Sequence, residues 1–323
     1  MPFKSQSYWR KTVSDRRFFN AVILAVLIGV GAGCDSKSSA PPPADPEPVS
    51  IAVTSYPLLV MTEEMAGDAA EVNLVVSGEH TSPDWKPTSE AIRTMQDSTR
   101  ILISGGDYEP WLQRVTLPRS RLVDTARGYY GKFVRIPDAV IHQHGPDGSH
   151  SHPGVVWATW LDPQLAMSQL DQTRDVLLEV LPDATATIRS AADALSQQFS
   201  DLDKRLKEIA AATTVDDITV LGDAPVYQYL AARLGWELHY VHLPVHGPLS
   251  QDNRKSVHDA IEQHQPTVIF ARSTLADEVN DLAGDREIPI APIDLCETAD
   301  ADQSLLQRLS GNLDAISRTL AGQ

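Results

Sequence analysis

Apolar and polar positions along this chain of 323 residues fall into two alternating rhythms from residue 50 onward. Residues 50–54 form a short apolar strand, 57–67 a helix and 71–76 the next strand. Residues 88–98 space Ile92 and Met95 as a helix does, with Thr88 or Ser89 as its cap and Glu90 in the first turn. A strand at 101–104, a short helix at 109–115 and a strand at 121–124 follow. Strands separated by helices predict a parallel sheet covered on both faces.

Residues 128–160 break this rhythm. Two long helical stretches come next, 163–181 and 183–212, with a joint at Pro182 because proline suits a first helical turn and not a helix interior. The second stretch repeats Ile188, Ala192, Leu195, Phe199, Leu202, Leu206 and Ile209 at helical spacing. Such a helix runs about 45 Å, enough to bridge two domains. Alternation then returns, with strands at 218–221, 237–242, 267–271 and 288–293. Helices fall at 224–234, 251–264, 275–283 and 303–320. The expected fold is α/β: two lobes with parallel sheets flanked by helices, joined by one long linking helix. The first lobe covers 49–162, the linking helices 163–212 and the second lobe 213–323. No convincing sequence repeat relates the halves.

The N-terminal segment has its own character. Lys4, Arg10, Lys11, Arg16 and Arg17 precede an apolar run at 18–30, which Gly31, Ala32, Gly33 and Cys34 close. A short apolar run with basic flanks and a small-residue exit is an export signal rather than a membrane span. It predicts cleavage after residue 33 and diacylglycerol attachment at Cys34, although Gly31 stands where a larger aliphatic residue is usual. The alternative is a retained anchor helix with an incidental cysteine. Arg16 and Arg17 before Phe18 and Phe19 also resemble a twin-arginine signal. Residues 34–48, with Pro41, Pro42, Pro43, Pro46 and Pro48, read as an extended tether. The expected location is the periplasm or cell envelope, at the membrane through Cys34.

The formal charge is −16, and removing residues 1–33 takes away five basic side chains and one acidic, leaving about −20. A field of that sign repels nucleic acid and attracts cations. Cys34 and Cys296 are the only cysteines, so no disulfide framework exists. Cys296 is either a thiolate ligand or a small buried hydrophobe.

Ligands of open parallel sheets bind beyond the carboxyl ends of the strands. That rule selects His80 and Asp84 after the second strand, Asp223 after strand 218–221, and Asp294 after strand 288–293, with Cys296 and Glu297 close behind. Imidazole with carboxylate suits zinc, manganese or iron. Each has a plainer alternative: Asp223 as a helix cap, His80 as a solvated loop residue. The densest signal is His142, His144, His150 and His152, four of the ten histidines, as two His-x-His pairs around Gly-Pro-Asp-Gly. Imidazoles so spaced can trap a borderline cation. His239, His242 and His246 read as surface and loop residues, since His239 and His242 point to opposite faces of one strand. No His-Glu-x-x-His, serine-nucleophile motif or glycine-rich phosphate loop is present, so no enzyme is expected.

Several segments, in order, carry a resemblance: Lys86-Pro-Thr-Ser-Glu-Ala-Ile92, Gly105-Gly-Asp-Tyr-Glu-Pro-Trp-Leu112, the histidine loop, Thr159-Trp-Leu-Asp-Pro163, Val226-Tyr-Gln-Tyr-Leu230 and Pro292-Ile-Asp294. On these, residues 50–323 resemble the zinc- and manganese-binding lipoproteins of ABC importers. The resemblance implies a monomeric solute-binding protein that passes Zn²⁺ or Mn²⁺ to a permease and its ATPase, with no organic cofactor. The family's first histidine ligand falls on Pro83 or Asp84, the second on Ala158 and the third near Ala224, beside Asp223; the final carboxylate is retained as Asp294. An oxygen-rich set of Asp84, Asp223 and Asp294 would favour manganese. The alternative is a degenerate binding fold serving adhesion or assembly in the envelope, which the missing ligands favour and the histidine loop opposes.

Overall fold

A computed structural model describes residues 48–76, 83, 85–143, 149–213, 218–244 and 248–321, and within 136–153 it describes the backbone alone. The segments expected to be an export signal and a tether, Cys34 included, lie outside the described residues except for residue 48, as do His80, Asp84, His144 and His246.

In the first lobe β1 (Ser50–Val53), α1 (Tyr56–Ala66), β2 (Glu71–Leu74), α2 (Ser89–Asp97), β3 (Arg100–Ile103) and β4 (Leu122–Asp124) alternate as expected. The four strands form one parallel sheet in the order β2-β1-β3-β4. Successive side chains serve opposite faces: Ile51, Val53 and Leu102 join the core beneath α1, while Ala52, Ile101 and Ile103 pack with Met95, Trp85 and Trp111. Ser55 caps α1, accepting the Leu58 N–H at 3.4 Å, and Pro57 occupies the first turn. Gly67, at φ +51°, lets the chain leave the helix.

The irregular stretch contains a β-hairpin the sequence pattern did not reveal, β5 (Arg135–Gln143) with β6 (Ser149–Val155), paired antiparallel. Two helices follow, α3 (Pro163–Val180) and α4 (Thr185–Ala212), and Pro182 opens the 3-10 turn between them. Asp162 caps α3 by accepting the Gln164 N–H at 2.8 Å. With 28 residues, α4 spans about 42 Å.

The second lobe comprises β7 (Thr219–Gly222), α5 (Gln228–Leu234), β8 (Glu237–Tyr240), α6 (Gln251–His264), β9 (Val268–Arg272), α7 (Ala276–Ala283), β10 (Ile290–Ile293) and α8 (Leu305–Ala321). Its parallel sheet runs β10-β9-β7-β8. Counted in chain order within each lobe, both sheets follow the order second, first, third, fourth. The halves thus share a topology that no sequence repeat betrays.

One apolar core runs through both lobes. It joins Ile51, Val53 and Met61 to Phe199 and Leu202 of α4 and on to Val220, Phe270 and Ile293. The lobes are therefore cemented along α3 and α4, and each keeps a smaller satellite core on its outer face. No helix among the described residues is long and apolar enough to cross a membrane.

Candidate functional site

The carboxyl ends of the two sheets carry different chemistry. In the first lobe, Glu109 is 5% exposed and holds the turn after β3. Its Oε1 accepts from Thr54 Oγ1 at 2.6 Å and the Ser104 N–H at 2.8 Å, and its Oε2 from the Gly105 N–H at 3.0 Å. Burial pushes this carboxyl up to about 7, against those bonds, which favour the charged form. Gly105, at φ +72°, is needed here: a Cβ would come within 2.3 Å of Asp124 Oδ1. Beside the turn opens a cleft of about 420 Å³, bordered by Asp107, Asp124, Tyr130, Phe133 and Arg135.

In the second lobe, Asp223 does not cap a helix, since α5 starts only at Gln228. It is 2% exposed and fully engaged. Tyr227 Oη donates to its Oδ1 at 2.6 Å, and Arg272 donates to its Oδ2 from N at 3.1 Å and Nε at 2.9 Å. Asp294 stands just past β10 and takes both prongs of Arg308, Nε to Oδ2 and Nη2 to Oδ1, each at 2.7 Å. Cys296 is wholly buried, and burial, with Asp294 nearby, pushes its thiol up. It is thus the small buried hydrophobe of the two readings.

Three side chains span the lobes at this level. Tyr108 Oη donates to Glu297 Oε1 at 3.1 Å, Trp160 Nε1 donates to the Leu295 carbonyl at 2.8 Å, and the Arg308 guanidinium lies 5.6 Å from the centre of the Tyr56 ring. Tyr108, Trp157 and Trp160 pack with ring centres 5.1 to 5.6 Å apart. Ala158, where the resemblance expects a histidine, is buried among them and offers no ligand atom.

The hairpin places His142 directly opposite His150 and Val140 opposite His152. With a two-residue strand period, positions 142, 150 and 152 share one face of the ribbon. The Val155 N–H donates to Asp107 Oδ2 at 3.1 Å, tying the base of the hairpin to the first lobe. His239 lies mid-strand in β8 and stacks on His264 with centroids 3.7 Å apart, whereas His242 lies beyond the strand end.

Sequence reasoning did not single out Glu109, Arg272 or Arg308. Arg308 had a signal: with Asn312 it interrupts the apolar stripe Leu305, Leu309, Leu313 and Ile316 of α8. Arg272 ends an otherwise apolar strand. Among the described residues, no three histidines, cysteines or acids converge as a metal-holding group.

Comparison with known proteins extends this picture. The chain is 27% identical over 168 residues to the zinc-binding lipoprotein AdcA of Streptococcus pneumoniae strain R6, covering 50% of this chain and 32% of that lipoprotein, about a third of its length. It is 22% identical over 320 residues to the high-affinity zinc uptake system protein ZnuA of Bacillus subtilis, covering 93% and 96% of the two. Among solved structures, FpvC of Pseudomonas aeruginosa in complex with Mn²⁺ shares the fold with a TM-score of 0.69 at 17% identity, over 85% of this chain and 99% of that one. The laminin-binding protein of Streptococcus agalactiae, a bifunctional adhesin and metal transporter, gives 0.66 at 18%, over 84% and 99%. The model of the zinc-uptake complex component A periplasmic family matches residues 51–319, nearly the whole described chain, so the protein belongs to that family.

Proposed function

We propose that this protein is the extracytoplasmic binding component of an ABC importer and that its cargo is a divalent transition ion, zinc or manganese. Family membership across residues 51–319 carries this reading. The hairpin register supports it further, since positions 142 and 150 stand directly opposite each other on the two strands. The ion-binding groups in this reading are His142, His150 and His152 on the hairpin strands, with His144, His80 and Asp84, which lie outside the described residues. Asp223 and Asp294, the other two acids expected from the sequence, stand in ion pairs with Arg272 and Arg308. Export, lipid attachment at Cys34 and the tether would hold a monomer at the membrane, beside the permease and ATPase that receive the ion.

A second reading has an observation of its own. Ala158 supplies no ligand atom and both second-lobe acids face arginines, as suits a binding fold turned to adhesion or assembly in the envelope.

Calorimetric titration of the chelator-stripped protein with Zn²⁺ and Mn²⁺ separates the two. Submicromolar one-to-one binding that is lost when the four hairpin histidines become serine supports the ion-carrier reading. No tight binding of either ion refutes it and leaves the envelope role.

A further inference from the structure

Asp294 is held through both its side chain and its main chain. Its carboxylate takes the two-pronged grip of Arg308, and Oδ1 also accepts the Cys296 N–H at 2.8 Å. Its backbone N–H donates to Asn312 Oδ1 and its carbonyl accepts from Asn312 Nδ2, both at 2.8 Å. Arg308 and Asn312 are one turn apart on α8, so one helix face claims both the side chain and the main chain of this residue. Arg308 is 8% exposed. Burial opposes its charge, but its bonds to Asp294 outweigh that and raise its proton affinity.

The pattern repeats across the sheet. Asp294 follows β10, Arg272 ends β9 and Asp223 follows β7, and these are neighbouring strands. Asp223 and Asp294 each meet a guanidinium, so these two acids present two neutral pairs instead of two negative charges. A divalent ion that took both oxygens of Asp294 would displace a bidentate, charge-assisted bond and leave a buried guanidinium without its carboxylate. The other face of Arg308 lies over Tyr56, the first residue of α1 in the opposite lobe.

We infer that Arg308 is a resident cation: it occupies Asp294 in place of an ion and, through Tyr56, clasps the second lobe to the first, so that the lobes stay closed without cargo. Any cargo ion is then held without Asp294. That last part rests on the ion-carrier reading above; the clasp stands without it.

Two measurements on the full chain test this. The first places spin labels at Arg93→Cys and His258→Cys, one exposed position in each lobe, in a Cys34→Ser background. Without metal, the wild-type interlobe distance should match that with Zn²⁺ or Mn²⁺ added. Arg308→Gln should lengthen and broaden it, and Arg308→Lys, which keeps the charge but not the fork, should fall between. A wild-type distance that shortens on adding metal, or an Arg308→Gln distance equal to wild type, overturns the clasp. The second is metal titration. Asp294→Asn should leave affinity within about twofold of wild type, and Arg308→Gln, which frees a carboxylate, should raise it about tenfold. A tenfold loss in Asp294→Asn overturns the inference. If wild type binds neither ion, the ion-carrier reading fails while the distance measurement still decides the clasp; ion binding gained by Arg308→Gln would support it.

Discussion

The indole N–H of Trp160 donates to the carbonyl of Leu295 at 2.8 Å, joining residues 135 positions apart in sequence and in different lobes. Trp160 is 1% exposed, so the bond is made out of water. Trp160→Phe keeps most of the ring but strands that carbonyl, and should cost about 1–3 kcal/mol. Trp160→Ala also opens a cavity and should cost about 3–5 kcal/mol. Urea unfolding followed by circular dichroism measures both; equal losses would mean that the hydrogen bond, and not the packing of the ring, carries the stability.

Arg233 of α5 reaches Asp203 on α4, and Lys207 bonds the same carboxylate from one turn further along. Burial works against the charge on Asp203, but the bonds from Lys207 and Arg233 outweigh it and hold the carboxyl below its usual value. A depressed acid stabilises the fold above its unfolded value near 3.8 and loses that contribution as pH falls through the lower folded value. Asp203→Asn should therefore destabilise at neutral pH by about 1–2 kcal/mol and make little difference under strongly acid conditions. A double-mutant cycle with Arg233→Met checks that the two side chains are coupled.

Glu109 works in the opposite direction. Its carboxyl is raised from 4.5 to about 7, so the protonated form suits the fold better. Its contribution is fully present below pH 4.5 and is lost as pH rises through about 7, a change on the order of 3 kcal/mol. Unfolding midpoints measured from about pH 5 to pH 8 should decline in wild type, with a flatter decline in Glu109→Gln. Parallel profiles would exclude Glu109 as the source.

Cys296 is wholly buried with its thiol pushed up, so it should resist disulfide-forming reagents in the native state. In a Cys34→Ser chain the reagent should react only as denaturant unfolds the protein. Rapid labelling of the native chain would show that the segment after β10 opens.

Much of the fold was legible because its signals are local. The 251–264 helix is bounded as observed, with Ser250 and Asn253 forming a capping box. Pro182 marks the joint between α3 and α4. The hairpin escaped because β5 contains Pro137 and β6 reads Ser-His-Ser-His-Pro-Gly-Val, with no apolar alternation to betray a strand. The site was harder still. The sequence rule found Asp223 and Asp294 by their place after strands, but their partners lie 49 and 14 residues away on other elements. Spacing shows where an acid stands on a sheet; it does not show which cation the fold has already placed beside it.

The long helix constrains how this molecule can work. Phe199, Leu202 and Leu206 of α4 sit in a core that also includes residues of both sheets. Swinging the lobes apart like the covers of a book would bend that rod or tear its apolar seam. Torsion about the rod's own length leaves the seam intact. Movement of this kind is a slight counter-rotation, in which atoms near the axis hardly shift and those at the rim travel furthest. Loss of the Arg308 clasp would then show as a change in the angle between two outer surfaces, not as the opening of a gap.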